Sequence, residues 1–370
     1  MHLPLSLPKD PKILWKAPLG SLGLGGIAAT SEYVLVSERG LNDTFDVFRC
    51  LNAETGNELW AYRHPAPGQL DYGASSRATP IIAGDLVYFY GAFGHLHCVE
   101  LKTGAIVWQI DAKQEFKVEE KLAWGLCGTP LLVDDKLIFA PGSPEASIVA
   151  LDAKTGKVLW KTPGEPASYG SLNIGTLGGK RQIVGHDAST IGGWDVQTGT
   201  RLWTLKPKKE GDYNVPTPII YDGKLLVTTE NNGTRLYGFD SSGKIIAAAL
   251  ATNMELASET HTPVVVGDNL YAIWKDMYCL DLKNGLKQRW MKEDDAFASH
   301  TSIVADKDRL LITTSEGEVI LLAANPKEFQ LLGRMKVFAD EKGLYSHPAL
   351  VGRRLFLRSS NSLVCVELPE

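Results

Sequence analysis

ALDAKTGKVLW, residues Ala150 to Trp160, reads as the end of one strand, a tight turn at Lys154-Thr155-Gly156 and a second strand carrying a tryptophan. The stretch recurs. CLNAETGNELW (Cys50 to Trp60), CVELKTGAIVW (Cys98 to Trp108) and GWDVQTGTRLW (Gly193 to Trp203) keep every landmark, and GFDSSGKII (Gly238 to Ile246) and CLDLKNGLKQRW (Cys279 to Trp290) keep it loosely. The turn glycines fall at Gly56, Gly104, Gly156, Gly199, Gly243 and Gly285, in steps of 48, 52, 43, 44 and 42 residues. A period of that size is the signature of propeller blades.

Upstream of the turns lie ATPIIAGDLVYFY (Ala78 to Tyr90), GTPLLVDDKLIFA (Gly128 to Ala140), PTPIIYDGKLLVT (Pro216 to Thr228) and HTPVVVGDNLYAI (His261 to Ile273). Each is two β-branched runs joined by an Asp/Gly turn, a hairpin signal. Together with the strands on either side of the TG turn, every repeat supplies four strands. Amphipathic segments of helix length are absent, so the pattern predicts an all-β, eight-bladed propeller in one domain spanning residues 1–370.

The blades fall near 25–62, 74–110, 122–162, 169–205, 212–250, 258–292 and 297–336. SHPALVGRRLFLRSSNSLVCVEL (Ser346 to Leu368) has only three strands, and Ile13-Leu14-Trp15-Lys16 resembles Leu159-Trp160-Lys161 with no blade before it. The eighth blade is therefore expected to combine 345–368 with 13–16, closing the ring without an unpaired sheet edge. Seven blades is the alternative count, because the seventh repeat, with LLAANPKEFQLLGRM (Leu321 to Met335), has lost its TG turn.

Composition sets further bounds. At 44% hydrophobic and 22% charged residues the chain is globular. Net charge is −5 with scattered basic residues, which argues against nucleic acid as a partner. No stretch reaches the roughly 18–20 apolar residues of a membrane span, and the opening MHLPLSLPKDPK lacks the pattern of a signal peptide. Five cysteines do not suggest a disulfide framework. Cys50, Cys98, Cys279 and Cys365 share the position of Ala150 and read as small buried residues of different blades, and Cys127 has no CxxC partner. Trp60, Trp108, Trp160, Trp203 and Trp290 recur at one place and read as packing between blades.

The ALDAKTGKVLW repeat resembles the tryptophan-docking motif of the PQQ-like (pyrroloquinoline-quinone-like) propellers, over essentially all of Ile13 to Leu368. That resemblance implies the fold and leaves function open, because the same blades build quinoprotein dehydrogenases and non-catalytic scaffolds of the BamB-like kind. A quinoprotein would be expected to show two adjacent cysteines and a Glu/Asn/Asp set for Ca²⁺. Neither stands here, and Glu259 is the lone carboxylate near a channel mouth, so PQQ is not the expected cofactor. The resemblance also implies export to the periplasm, with any signal removed before residue 1.

One set of residues does not follow from packing. At the start of each innermost strand, where a propeller's channel opens, stand Arg77, Trp124, Tyr169, Asn173, Tyr213, Asn214, Glu259, His261, His300, Tyr345 and His347. They line a wet channel, or they form a binding site. His261, His300, His347 and Glu259 suit a divalent metal, while Arg77, Trp124 and the tyrosines suit an anionic or sugar-like ligand. Two functions stay open: a scaffold presenting loops and channel mouth to a protein partner, and an enzyme or small-molecule binder using the ring.

Overall fold

A computed structural model describes residues 2–119, 121–341 and 343–370. The strands form eight four-stranded antiparallel sheets. Blade one comprises Ala28–Ala29, Tyr33–Arg39, Phe45–Asn52 and Glu58–Pro65. Blades two to seven open on the inner strands Ile81–Ala83, Leu131–Val133, Asn173–Leu177, Ile219–Tyr221, Val264–Val266 and Thr301–Ala305. They end on Ile106–Asp111, Val158–Thr162, Arg201–Leu205, Ala251–Asn253, Lys287–Lys292 and Leu331–Lys336. Blade eight joins Ala349–Val351, Arg354–Arg358 and Ser362–Glu367 to the N-terminal strand Lys12–Pro18.

The repeated turn is built by side chain and backbone together. Asp152 Oδ1 accepts from Thr155 N (2.8 Å) and Thr155 Oγ1 (2.7 Å), and Gly156 takes φ +71°, which costs glycine nothing. Asp195 with Thr198, and Asn52 with Thr55, repeat the arrangement.

Glycine in the turn has a second use, because the neighbouring blade's tryptophan lies on it. A Cβ at Gly56 would stand 2.6 Å from Trp15, one at Gly104 2.7 Å from Trp60, and one at Gly156 2.8 Å from Trp108. Each indole also donates to a carbonyl beside that turn: Trp15 to Ala53, Trp60 to Leu101, Trp108 to Ala153 and Trp160 to Val196. Threonine-glycine and tryptophan are thus two halves of one contact across each blade seam. Where the motif decays the contact is mended. Gln182 relays between Trp203 Nε1 and Gly243 O, and blade five, with Ala247 where tryptophan would stand, has Asn253 donate to Leu286 O instead (3.1 Å).

Ring closure uses the same contact. Lys12 to Pro18 pairs with Ser362 to Glu367, with Trp15 opposite Cys365. Trp15 then reaches onto blade one, in a cluster with Val34, Leu51 and Phe356. Cys50, Cys98 and Cys279 stand opposite Trp60, Trp108 and Trp290 and are fully buried, as Cys365 is. All five cysteines are free thiols. Leu3 and Leu7 pack further back, between blades seven and eight.

Candidate functional site at the channel mouth

The starts of the inner strands are stitched to one another. Thr79 N donates to Thr129 Oγ1 (3.0 Å), Thr129 N to Ser171 Oγ (3.0 Å), Ser171 N to Thr217 Oγ1 (3.3 Å) and Thr217 N to Thr262 Oγ1 (3.0 Å). Between blades six and seven the direction reverses, with Thr301 N donating to His261 Nε2 (3.1 Å). His261 therefore has a structural duty, and an accepting Nε2 places its proton on Nδ1, 3.4 Å from Thr260 Oγ1. Asn173 likewise serves the framework, donating to Pro218 O (3.0 Å). Asn214, at φ +56°, donates to Asp187 O (3.2 Å) and is buried.

On the side of blades six to eight the rim is imidazole. His261 and His300 lie 5.1 Å apart between ring centroids, and Tyr345 meets His300 edge-on at 5.4 Å. Burial, then the nearby imidazoles of His300 and His347, hold the His261 ring down at about 3. Burial and His347 hold His300 at about 4. The pair is neutral at physiological pH. Among the described residues no three His, Cys, Asp or Glu side chains converge as a metal-ion ligand set. Of the expected grouping, His261 and His300 lie side by side with His347 close enough to act on both, and the Glu259 charge acts on Glu230 of blade five.

Aromatic rings make up the rim of blades two to five. Trp124 sits centrally, with Tyr169 at 4.5 Å, Tyr213 at 5.0 Å and Tyr72 at 6.1 Å between centroids. Tyr72 is 79% exposed and Tyr213 49%, so this cluster meets solvent. Arg77 is engaged with its own loop. Its guanidinium donates to the carbonyls of Ser75 (2.8 Å), Asp71 (2.8 Å) and Gly73 (2.6 Å), shaping the loop that carries Tyr72. Glu230 ties in by accepting from Tyr213 N, and burial raises its carboxyl above the usual range.

Tyr72 and Glu230 are members of the rim that the repeat did not point to. Tyr72 lies five residues before Arg77, outside the stretch in which the blades align, and its only local mark is a DYG turn, in which it takes φ +62°. Glu230 sits in the connection between blade five's second and third strands, where the repeat has no landmark.

Comparison with known proteins agrees with this architecture. The family profile described as "Outer membrane protein assembly factor BamB" matches residues 7–121 and 92–329. The outer membrane protein assembly factor BamB of Shewanella oneidensis is 24% identical over 355 residues, covering 80% of this chain and 85% of that protein. The quinoprotein alcohol dehydrogenase PedH of Pseudomonas putida is 25% identical over 193 residues, which is 49% of this chain and 30% of the enzyme. Among solved structures, BamB from Moraxella catarrhalis superposes with a TM-score of 0.67 at 16% identity, over 97% of this chain and 100% of that one. The profile spans most of the chain, its repeats build the eight blades, and the chain belongs to the BamB-like family of PQQ-type β-propellers.

Proposed function

We propose that this chain is a non-catalytic binding propeller that offers its channel mouth and the adjoining loops to a protein partner. The observation that carries this reading is the solvent-facing cluster of Tyr72, Tyr213, Tyr169 and Trp124 on a closed ring. Tryptophan and tyrosine are the residues on which protein interfaces concentrate their binding energy, because they bury large area with little loss of side-chain freedom. Arg77 spends its donors on the loop beneath, so the platform is organised before a partner arrives. The name borne by the relatives, outer membrane protein assembly factor, supports a partner among proteins that build the outer membrane, and hence a periplasmic location. Among the described residues no helix is long and apolar enough to cross a membrane.

The test is co-purification with the β-barrel assembly machinery from solubilised envelopes, comparing the parent with Trp124→Ala/Tyr213→Ala. A drop of about tenfold or more in recovered complex, with an unchanged melting temperature, supports the reading. Equal recovery with the parent overturns it.

A second reading, small-molecule or metal chemistry at the imidazole arc, is favoured by the closeness of His261 and His300. Elemental analysis and an absorption spectrum of purified protein separate the two readings. Stoichiometric metal or quinone lost in His261→Ala/His300→Ala supports the second.

A further inference from the structure

Away from the channel, three more of the eight histidines meet at the seam between blades one and two. His64 lies on the outer strand Glu58–Pro65, and His95 and His97 lie two apart on His95–Glu100, so they share one face of their strand. Ring centroids are separated by 4.4 Å from His64 to His95, 4.6 Å from His64 to His97 and 6.4 Å from His95 to His97.

Packing alone does not account for these rings. His97 is 1% exposed and its ring nitrogens make no hydrogen bond of good geometry, although the Gln109 side chain lies within reach of the ring; the buried Nδ1 of His95 is without a partner. Gln109, opposite His97 on the next strand, also accepts at Oε1 from the Tyr62 hydroxyl (3.2 Å). Buried imidazole nitrogens left unpaired cost free energy, and ligating an ion offsets that cost. Apolar isosteres would fill the same seam without that cost.

We propose that His64, His95 and His97 form a binding site for a borderline divalent ion of the zinc or copper class, pinning blade one to blade two. Imidazole is a preferred ligand for those ions. Asp111 Oδ2 stands 3.8 Å from His95 Nε2, placed to hold that ring while Nδ1 ligates, as carboxylates behind metal-bound histidines do. Burial lowers all three rings from their ordinary value, His97 to about 3, which keeps them in the neutral, ligating form. As arranged here, the three rings do not converge on one point. His64, half-buried on the outer strand, is the member that must turn. This site is separate from the mouth and its test does not depend on the partner.

The test is Zn²⁺ and Cu²⁺ titration of untagged, metal-stripped protein by calorimetry, with thermal melts in parallel. The parent should bind one equivalent and melt higher with metal. His64→Ala should bind at least tenfold more weakly, with its melting temperature no longer raised by metal. Asp111→Asn, which keeps all three ligands, should weaken binding by about 10-fold, and it covers the case in which His64→Ala folds poorly. No binding by the parent overturns the proposal. So does binding unchanged in both variants, or binding lost only in His261→Ala/His300→Ala, which would place the ion at the mouth.

Discussion

Trp15→Ala tests whether the N-terminal strand locks the ring. Trp15 is only 8% exposed, lies over Gly56 of blade one, donates to Ala53 O at 3.1 Å and packs 5.8 Å from Phe356. Truncating a buried tryptophan costs about 3–5 kcal/mol, and the lost hydrogen bond lies within that range. Unfolding entropy of about 2.1 cal/mol/K per residue gives roughly 0.8 kcal/mol/K for a chain of 370 residues. A loss of about 4 kcal/mol therefore lowers the melting temperature by about 5 °C. Leu14 precedes it on the same strand but is 43% exposed. Leu14→Ala should move the midpoint by no more than about 1 °C. Calorimetric melts of the three proteins decide the matter. If Trp15→Ala melts within about 1 °C of the parent, or together with Leu14→Ala, the strand does not close the ring in the way described.

Three further outcomes follow. All five thiols should be reduced, and Cys50, Cys98, Cys279 and Cys365 should react slowly with thiol reagents, because burial pushes their thiols up to about 11–12; rapid native labelling of three or more would place them outside the core. His186 is buried with Nε2 unpartnered, and burial holds its ring down at about 4. A depressed imidazole lends stability that is present above pH 6.5 and lost as pH falls toward 4, so His186→Gln should flatten the fall in melting temperature over that window, and an unaltered pH profile would count against it. Gln182→Leu leaves Trp203 Nε1 and Gly243 O unpaired in the seam of blades four and five; it should cost about 2 kcal/mol in denaturant melts, and a neutral result would show the relay to be dispensable.

The fold was legible because its rule is repeated. One contact, tryptophan on the next blade's threonine-glycine turn, appears often enough that Lys154-Thr155-Gly156 and Trp160 interpret the worn copies around Gly243 and Leu321. The closing strand was legible for the same reason, through Trp15 alone. The rim was legible only in part. Position in the repeat marks which side chains start an inner strand, and the rings it pointed to, Trp124 with Tyr169 and Tyr213, and His261 with His300, do lie beside one another. It cannot say whether such a side chain faces a ligand or a neighbouring amide. Arg77, Asn173 and Asn214 spend their donors on backbone carbonyls, and His261 accepts from Thr301 N, details set by loop geometry that no spacing encodes. Tyr72 and the seam of His64, His95 and His97 were not read at all. Those seam residues come together because an outer strand of one blade abuts the third strand of the next, a contact without any sequence period.

The central claim is that the aromatic rim binds a protein. A photo-crosslinking residue placed at Tyr213 measures this most directly, set against the same residue at Lys154 on an exposed outer turn. The account predicts a discrete crosslink to one envelope protein from position 213, competed away by unlabelled parent but not by Trp124→Ala, and none from position 154. Equal crosslinking from both positions, or a product at 213 that Trp124→Ala competes away as well as the parent does, would contradict it.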